Sequence, residues 1–356
     1  MVEVQPITVA IIGAGIGADH MDGYLDLPDQ YRVVTVCDLD EERAETLSAR
    51  SPGCATETDL DRVIADPGVD AIDICLPPHL HFDVALKALA AGKHVVCEKP
   101  LARSLSEADR MIEAANRSGK LMLPVFQYRY GRGFQQLLHL IGSGLCGKPL
   151  TATLETHWNR GADYYSVPWR GTWAGESGGA ILGHAIHIHD LLCTALGPIE
   201  RVSASLATRV NPIEVDDCAA IALEMQNGAL VTSSITLGSA TDMSRLRFCF
   251  ENLTAESGRL PYHPAADGWT FKAREPGLQG EVDTLTAGCA TRPERFAGLF
   301  ADFAAKLRGE PNDAVSPADG RRSLELVTAL YQSARQGEQV SLPIMQDDPI
   351  YQGWMP

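Results

Sequence analysis

The segment that most restricts how this chain can fold is Gly13-Ala14-Gly15-Ile16-Gly17-Ala18, which closes the β-branched run Thr8 to Gly13 and opens a helical pattern. Glycines at that spacing let a strand turn tightly into a helix and let the backbone come close to a pyrophosphate resting on the helix amino terminus. The rest of the first 125 residues repeats the same alternation. Val33 to Asp38, Ala71 to Leu76, His94 to Cys97 and Leu121 to Phe126 read as strands, while Glu41 to Arg50, Asp59 to Ala65, His81 to Ala91 and Ser106 to Ser118 carry helical periodicity. Asp66-Pro67-Gly68 and Gly92 punctuate the turns, and Gly119 suits a helix C-cap. Repeated βαβ units build a doubly wound parallel sheet, so the fold class is α/β.

After about residue 150 the rhythm changes. Leu150 to His157, Ile199 to Val210, Asp217 to Met225, Ala229 to Leu237 and Arg245 to Phe250 are consecutive strand-like runs separated by turns such as Gln226-Asn227-Gly228. They predict a mainly antiparallel sheet. Gly178 to Leu196 is a helical interruption whose glycines suit close approach to a ligand, and helices follow over Arg292 to Arg308 and Pro317 to Gln336. Tyr262 to Gly280, rich in Pro and Gly, reads as a long surface or substrate loop.

A chain of 356 residues exceeds one ordinary domain, and 45% hydrophobic against 21% charged residues allows two real cores while excluding wholesale disorder. No apolar run is long enough to cross a bilayer, and the stretch from Met1 to the first strand near Ile7 leaves no room for a secretion signal. The reading is cytoplasmic. Nine scattered cysteines without a CxxC pair read as reduced core residues rather than a disulfide framework or thiolate metal site. A net charge of -16 argues against nucleic acid or an anionic membrane as partner, since both demand a basic surface.

Asp38 ends the second strand, where a carboxylate accepts hydrogen bonds from ribose hydroxyls and repels a 2′-phosphate. NAD is therefore expected over NADP, with Arg43 nearby leaving some NADP use open. The buried run His94-Val95-Val96-Cys97 ends in Glu98-Lys99-Pro100, which places a lysine at the carboxyl end of a strand, where open parallel sheets bind their ligands. Pro100 restricts Lys99 to extended geometry, so the turn aims its side chain.

Taken together, Gly13 to Ala18, the stretch Ile72 to His81, the stretch Gly92 to Leu101, Gly178 to Asp190 and the ending Leu326 to Pro343 resemble the Gfo/Idh/MocA oxidoreductases over nearly the whole chain. The resemblance implies a Rossmann domain over residues 1–126 and an α+β domain over 127–356. The latter would carry an open-faced sheet for substrate and for homodimer or homotetramer contacts, its last helices packing back toward the Rossmann domain. It also implies nicotinamide-dependent chemistry on a sugar or cyclitol. Gly13, Gly15, Ile16, Gly17, Asp38, Leu76, Pro77, Glu98 and Lys99 are the expected cofactor residues, with His81 bracing the loop. Lys99 matches the family's catalytic lysine, which stabilises developing oxyanion charge, and His187 matches its general acid/base histidine.

One departure stands out. Gly183 occupies the position four before His187 where the family often has aspartate, and His184 follows it. On a helix His184 and His187 share a face, so His184 is a candidate to supply the missing polar group. His189 would point elsewhere, leaving too few convergent ligands for a metal, and Asp190 reads as structural. Trp158, Arg160, Tyr164, Tyr165, Trp169 and Arg170 combine stacking surfaces with planar donors suited to a polyhydroxylated ring, and Arg129 is a further candidate cation. The leading expectation is an NAD-dependent dehydrogenase. The alternatives are a redox-neutral glycoside-cleaving enzyme, for which Tyr164, Tyr165 or His184 would be the second base, and a nucleotide sensor without turnover.

Overall fold

The computed structural model describes residues 5–266 and 268–356. The reading of residues 1–4 as too short for a secretion signal, and position 267 of the expected loop, lie outside the described residues. Two compact units emerge: Met1–Gln127 with Pro293–Arg321, and Tyr128–Arg292 with Arg322–Pro356. The segment 293–321 thus belongs with the first unit rather than with the 127–356 stretch that contains it in sequence.

In the first unit, β1 (Ile7–Ile12), α1 (Gly17–Leu25), β2 (Tyr31–Cys37), α2 (Glu41–Ser48), β3 (Ala55–Glu57), α3 (Leu60–Ala65), β4 (Ala71–Ile74), α4 (Pro78–Ala90), β5 (His94–Cys97), α5 (Leu105–Ser118) and β6 (Met122–Pro124) alternate. All six strands are parallel, in the order β3-β2-β1-β4-β5-β6. The order reverses between β1 and β4, and that switch point opens the crevice at their carboxyl ends. Side chains place the helix starts: Asp40 accepts from the Arg43 N–H, Asp59 from Asp61 and Arg62, and Ser104 from Glu107. Gly119, at φ 66°, closes α5.

In the second unit, α6 (Arg132–Gly142) leads to β7 (Pro149–Asn159), the short helices α7 (Trp173–Glu176) and α8 (Ala180–Gly183), and α9 (Ile186–Leu196). Then come β8 (Ile199–Ala207), β9 (Cys218–Met225), β10 (Leu230–Thr236), β11 (Gly238–Phe250), β12 (Leu253–Glu256), β13 (Thr270–Ala273) and α10 (Gln279–Gly288). The sheet runs β13-β12-β11-β7-β10-β9-β8-β14, where β14 is Val340–Ser341. Every pairing is antiparallel except β10 with β7. Alternate residues of β9 and β10 are buried, so one face packs and the other stays open. The stretch expected to be a loop over 262–280 instead contains β13 and the start of α10.

Helix α11 (Arg295–Leu307) returns to the first unit and lies on α1, and α12 (Pro317–Gln336) follows it. Phe300 is fully buried there, its ring stacked 4.0 Å from that of Tyr24, and its carbonyl accepts from the Tyr31 hydroxyl at 2.7 Å. Phe300→Ala is expected to destabilise the protein by about 3–5 kcal/mol, as buried Phe truncations do, lowering the urea midpoint without changing the fold. A shift under about 1 kcal/mol would show that α11 contributes little to holding α1. Among the described residues no single helix is long and apolar enough to cross a membrane.

Candidate active site

The glycine turn sits where the sheet order reverses. Gly13 has φ +101°, donates its N–H to the Cys37 carbonyl at 2.7 Å, and leaves no room for a side chain: a Cβ would lie 2.5 Å from the Cys75 carbonyl oxygen. The turn delivers the backbone to the amino end of α1, where Ala18 and Asp19 donate to the Gly15 and Ile16 carbonyls and the positive end of the helix dipole favours an anion. Asp38 stands beside it. Its Oδ2 accepts from the Ala14 N–H at 2.7 Å and its Oδ1 from Asp40 at 3.0 Å, which fixes the carboxylate while leaving lone pairs for ribose hydroxyls. This cradle and this acceptor fit a dinucleotide without a 2′-phosphate. Replacing Asp38 with alanine is therefore expected to narrow the NAD over NADP preference by about 10-fold or more, read from the two dissociation constants. An unchanged ratio would assign the discrimination to another residue.

Some expected cofactor residues act one step back. His81 is fully buried, and its ring nitrogens lie 2.7 Å from the Pro100 carbonyl oxygen and 2.8 Å from that of Leu76, so it ties the turn after β4 to the turn after β5. It is a brace, with no exposed surface for a ligand. Leu76 packs against Gly13, and Pro77 leads into α4 with Pro78 in its first turn. Glu98 is likewise buried, at 5% exposure: Oε1 meets the His20 Nε2 at 3.1 Å, and Oε2 accepts from the Lys99 backbone N–H at 3.0 Å. Lys99 itself is half-buried at the end of β5, and its bond to Pro100 is cis.

In the second unit the helical stretch 178–196 is not one helix. It breaks at His184 (φ −121°, ψ −56°), so the expected shared face of His184 and His187 does not form. His184 lies edge-on to Trp158 at 5.2 Å and 5.7 Å from the Tyr164 ring, while His187 stacks on Tyr128 at 4.3 Å. His189 goes elsewhere, its Nε2 3.0 Å from Ser233 Oγ on β10. The glycine pair ahead of the break is clamped: Asp216 accepts from the Gly179 and Ile181 N–H groups and from the Tyr331 hydroxyl at 2.5 Å. A Cβ on Gly179 would fall 1.9 Å from the Asp216 carbonyl oxygen. Gly183 differs. A Cβ there meets nothing within 4 Å, so sterics do not explain the missing aspartate.

The aromatic and guanidinium residues do converge. Arg160 lies over Trp158 and Tyr164, pairs with Asp242 at 2.9 Å and also meets the Tyr262 hydroxyl. Arg170 stacks 4.0 Å from the Tyr164 ring and 5.3 Å from Trp169, and Tyr165 meets Tyr164 edge-on. Burial, with the Glu176 carboxylate adding to it, pushes the Tyr164 hydroxyl up to about 12 and raises Tyr165 as well. Arg129 is bound bidentately by Asp190 at 2.7 and 2.5 Å, which compensates its charge inside the unit.

Sequence reasoning missed two groups. The first is the Asp216–Tyr331 clamp, joined across more than a hundred residues. The second is a buried cluster of His20, Tyr24, Asp73, Cys75 and Glu98 beneath the glycine turn. Asp73 within the otherwise apolar β4 was the signal for it.

Two family models match in tandem, one described as "Oxidoreductase family, NAD-binding Rossmann fold" over residues 7–126 and one as "GFO/IDH/MocA C-terminal domain" over residues 134–256. Inositol 2-dehydrogenase 2 of Saccharopolyspora erythraea is 30% identical over 97% of this chain and 98% of its own length. This chain belongs to the GFO/IDH/MocA oxidoreductase family. D-glucoside 3-dehydrogenase of Escherichia coli is another relative, 25% identical over 95% of this chain and 98% of its own. Among solved structures, the WlbA dehydrogenase from Bordetella pertussis in complex with NADH and UDP-GlcNAcA superposes with a TM-score of 0.85 at 27% identity, covering 97% of this chain and all of that one. As a GFO/IDH/MocA enzyme the protein is an oxidoreductase, and its first unit is the NAD-binding Rossmann domain.

Proposed function

We propose that the protein is an NAD-dependent dehydrogenase or reductase acting on a ring hydroxyl or ketone of a sugar, sugar derivative or cyclitol. The observation that carries this is Lys99 at the carboxyl end of β5, on the same edge of the parallel sheet as the glycine turn after β1 and Asp38 after β2, with its backbone N–H held by Glu98. Relatives named as inositol and glucoside dehydrogenases support the substrate class. NAD, when bound, accepts the hydride that leaves the alcohol carbon.

The chain supplies the rest. The Lys99 ammonium hydrogen-bonds the reacting oxygen and stabilises negative charge as it develops. His187, its ring braced by Tyr128, takes the hydroxyl proton in oxidation and returns it in reduction. Tyr164 and Trp169 offer flat faces for a sugar ring and Arg170 offers planar donors for its oxygens, while the buried Trp158 and the Asp242-paired Arg160 support them from behind. The redox-neutral glycosidase route needs a second base to remove a ring C–H proton. Tyr164 and Tyr165 are poorly suited to it because burial raises both phenols above the ordinary Tyr range, further from the phenolate that a base requires. His184 is then its remaining candidate.

The test is incubation with NAD and a panel of sugars, cyclitols, sugar acids and aryl glycosides, following NADH and aglycone in parallel. NADH formed one-for-one with oxidised product supports the dehydrogenase. Aglycone released without net NADH overturns it in favour of the glycosidase.

A further inference from the structure

Beneath the glycine turn lies a polar cluster in which every ring atom able to hydrogen-bond is used. His20, one helical step beyond Gly17 in α1, is fully buried, with Nδ1 2.8 Å from Asp73 Oδ2 and Nε2 3.1 Å from Glu98 Oε1. With both carboxyl groups ionised, each only accepts, and a ring bonded to one at each nitrogen then donates from both as an imidazolium. Desolvation opposes that charge, yet attraction to Asp73 and the hydrogen bonds around the ring more than offset it and raise the His20 pKa well above the usual value. Phe296 and Phe300 wall the ring off from water at 4.5 and 5.6 Å.

The two carboxylates are not equivalent. Asp73 is anchored from several sides, accepting also from the Tyr24 hydroxyl at 3.0 Å and the Cys75 thiol at 3.6 Å. Glu98 stands at the end of β5, and its other oxygen accepts from the Lys99 N–H. A continuous chain of contacts therefore runs from the helix that receives the cofactor's pyrophosphate, through His20 and Glu98, to the peptide of Lys99. His20, Asp73 and Cys75 also have donor types a metal would accept. The 2.8 Å separation of Nδ1 and Oδ2 is that of a hydrogen bond, shorter than two ligands each about 2.0–2.1 Å from a tetrahedral ion would allow.

We propose that His20 is a positioning residue for Lys99: held between Asp73 and Glu98, it fixes the Glu98 carboxylate and, through it, the backbone of Lys99 relative to the cofactor-binding helix. This rests on the reading of Lys99 as the group that meets the reacting oxygen. It gives an intrinsic reason for a buried charge cluster that hydrophobic residues would otherwise fill more simply.

The test compares wild type with His20→Gln, the near-isosteric Glu98→Gln and the double variant. Thermal melting reports folding, NADH fluorescence titration reports cofactor affinity, and kcat and KM report turnover on the substrate found in the panel. Both single variants are expected to lose about 10-fold or more in kcat with NADH affinity and KM within about 3-fold. The double variant should lose no more than the worse single, as members of one chain of contacts do. Folded variants with wild-type kcat, or losses that multiply, would overturn the proposal. So would a fall confined to NADH affinity, which would make the cluster a support for the glycine turn alone.

Two readouts stand apart from turnover. The 15N spectrum of histidine-labelled wild type at about pH 8 should show His20 protonated at both nitrogens, and a singly protonated ring or a stoichiometric bound metal would overturn the proposal. Reductive 13C-methylation, with the Lys99 resonance assigned by its loss in Lys99→Arg, should show that resonance shifted in His20→Gln. An unshifted resonance counts against the link. If no panel member is oxidised while both spectroscopic results hold, the dehydrogenase reading fails and the link from His20 to Lys99 stands.

Discussion

Replacing Lys99 by alanine is expected to lower kcat by about 10²–10⁴-fold while leaving the fold and NADH affinity nearly unchanged, since the lost ammonium is worth most when charge develops on the reacting oxygen. The half-buried side chain sits at a strand end and fills no part of the core, so removing it creates no large cavity. Lys99→Arg is the informative companion. It keeps the charge but replaces a compact donor with a planar fork, and recovery of only a small part of the rate would show that position matters beyond charge. The measurement is steady-state NADH formation beside an NADH titration of each variant. Turnover within about 3-fold of wild type in Lys99→Ala would remove Lys99 from the chemistry.

The second large effect concerns the glycine turn. Gly13→Ala must place a methyl group 2.5 Å from the Cys75 carbonyl oxygen at a φ of +101°, a conformation that alanine rarely adopts. Backbone strain of this kind costs about 1–3 kcal/mol before the collision is counted, and relief means moving β1 away from the end of β4. The expected result is a lower melting temperature together with NADH affinity weakened about 100-fold or more. Gly15→Ala separates the two consequences. Its Cβ would meet only the Arg43 guanidinium, at 3.4 Å, so the unliganded protein should melt near wild type while cofactor affinity falls, because there the backbone must approach the pyrophosphate. If Gly13→Ala bound NADH as wild type does, the dinucleotide would have to rest elsewhere.

The first unit was legible because local chemistry and global fold agree in it. Gly13 to Ala18, Asp38 and the apolar runs of β1, β4 and β5 each demand what the parallel sheet supplies, and the structure places them at one switch point. Three kinds of feature escaped. Short strands such as Ala55–Glu57 are too brief for periodicity to register, and Thr270–Ala273 is hidden in a stretch whose Pro and Gly content reads as loop. The amphipathic helix Arg132–Gly142, with Phe134, Leu137 and Leu140 buried, had the right spacing but no cap to announce it.

The sequence could name candidate side chains but not their pairings. Arg129 could be named from the sequence, but not its partner Asp190, which neutralises it. His184 and His187 suit one helical face only if the helix continues, and the clamp of Asp216 on Gly179 and Ile181, which holds the segment where it breaks, comes from beyond β8. His20 is one side chain of an ordinary helix until β4 and the end of β5 bring two carboxylates to it.

Net hydride transfer from a ring carbon to the cofactor leaves an isotopic trace in the reduced nicotinamide. The substrate identified in the panel is prepared with deuterium on its ring carbons and incubated with NAD, and the reduced cofactor is collected for mass spectrometry, with Lys99→Ala alongside. The expected product is NADH one mass unit heavier, formed one-for-one with ketone and nearly absent with the variant. Deuterium retained on the ring with no labelled NADH accumulating, or transfer that persists at the wild-type rate without Lys99, would contradict this mechanism.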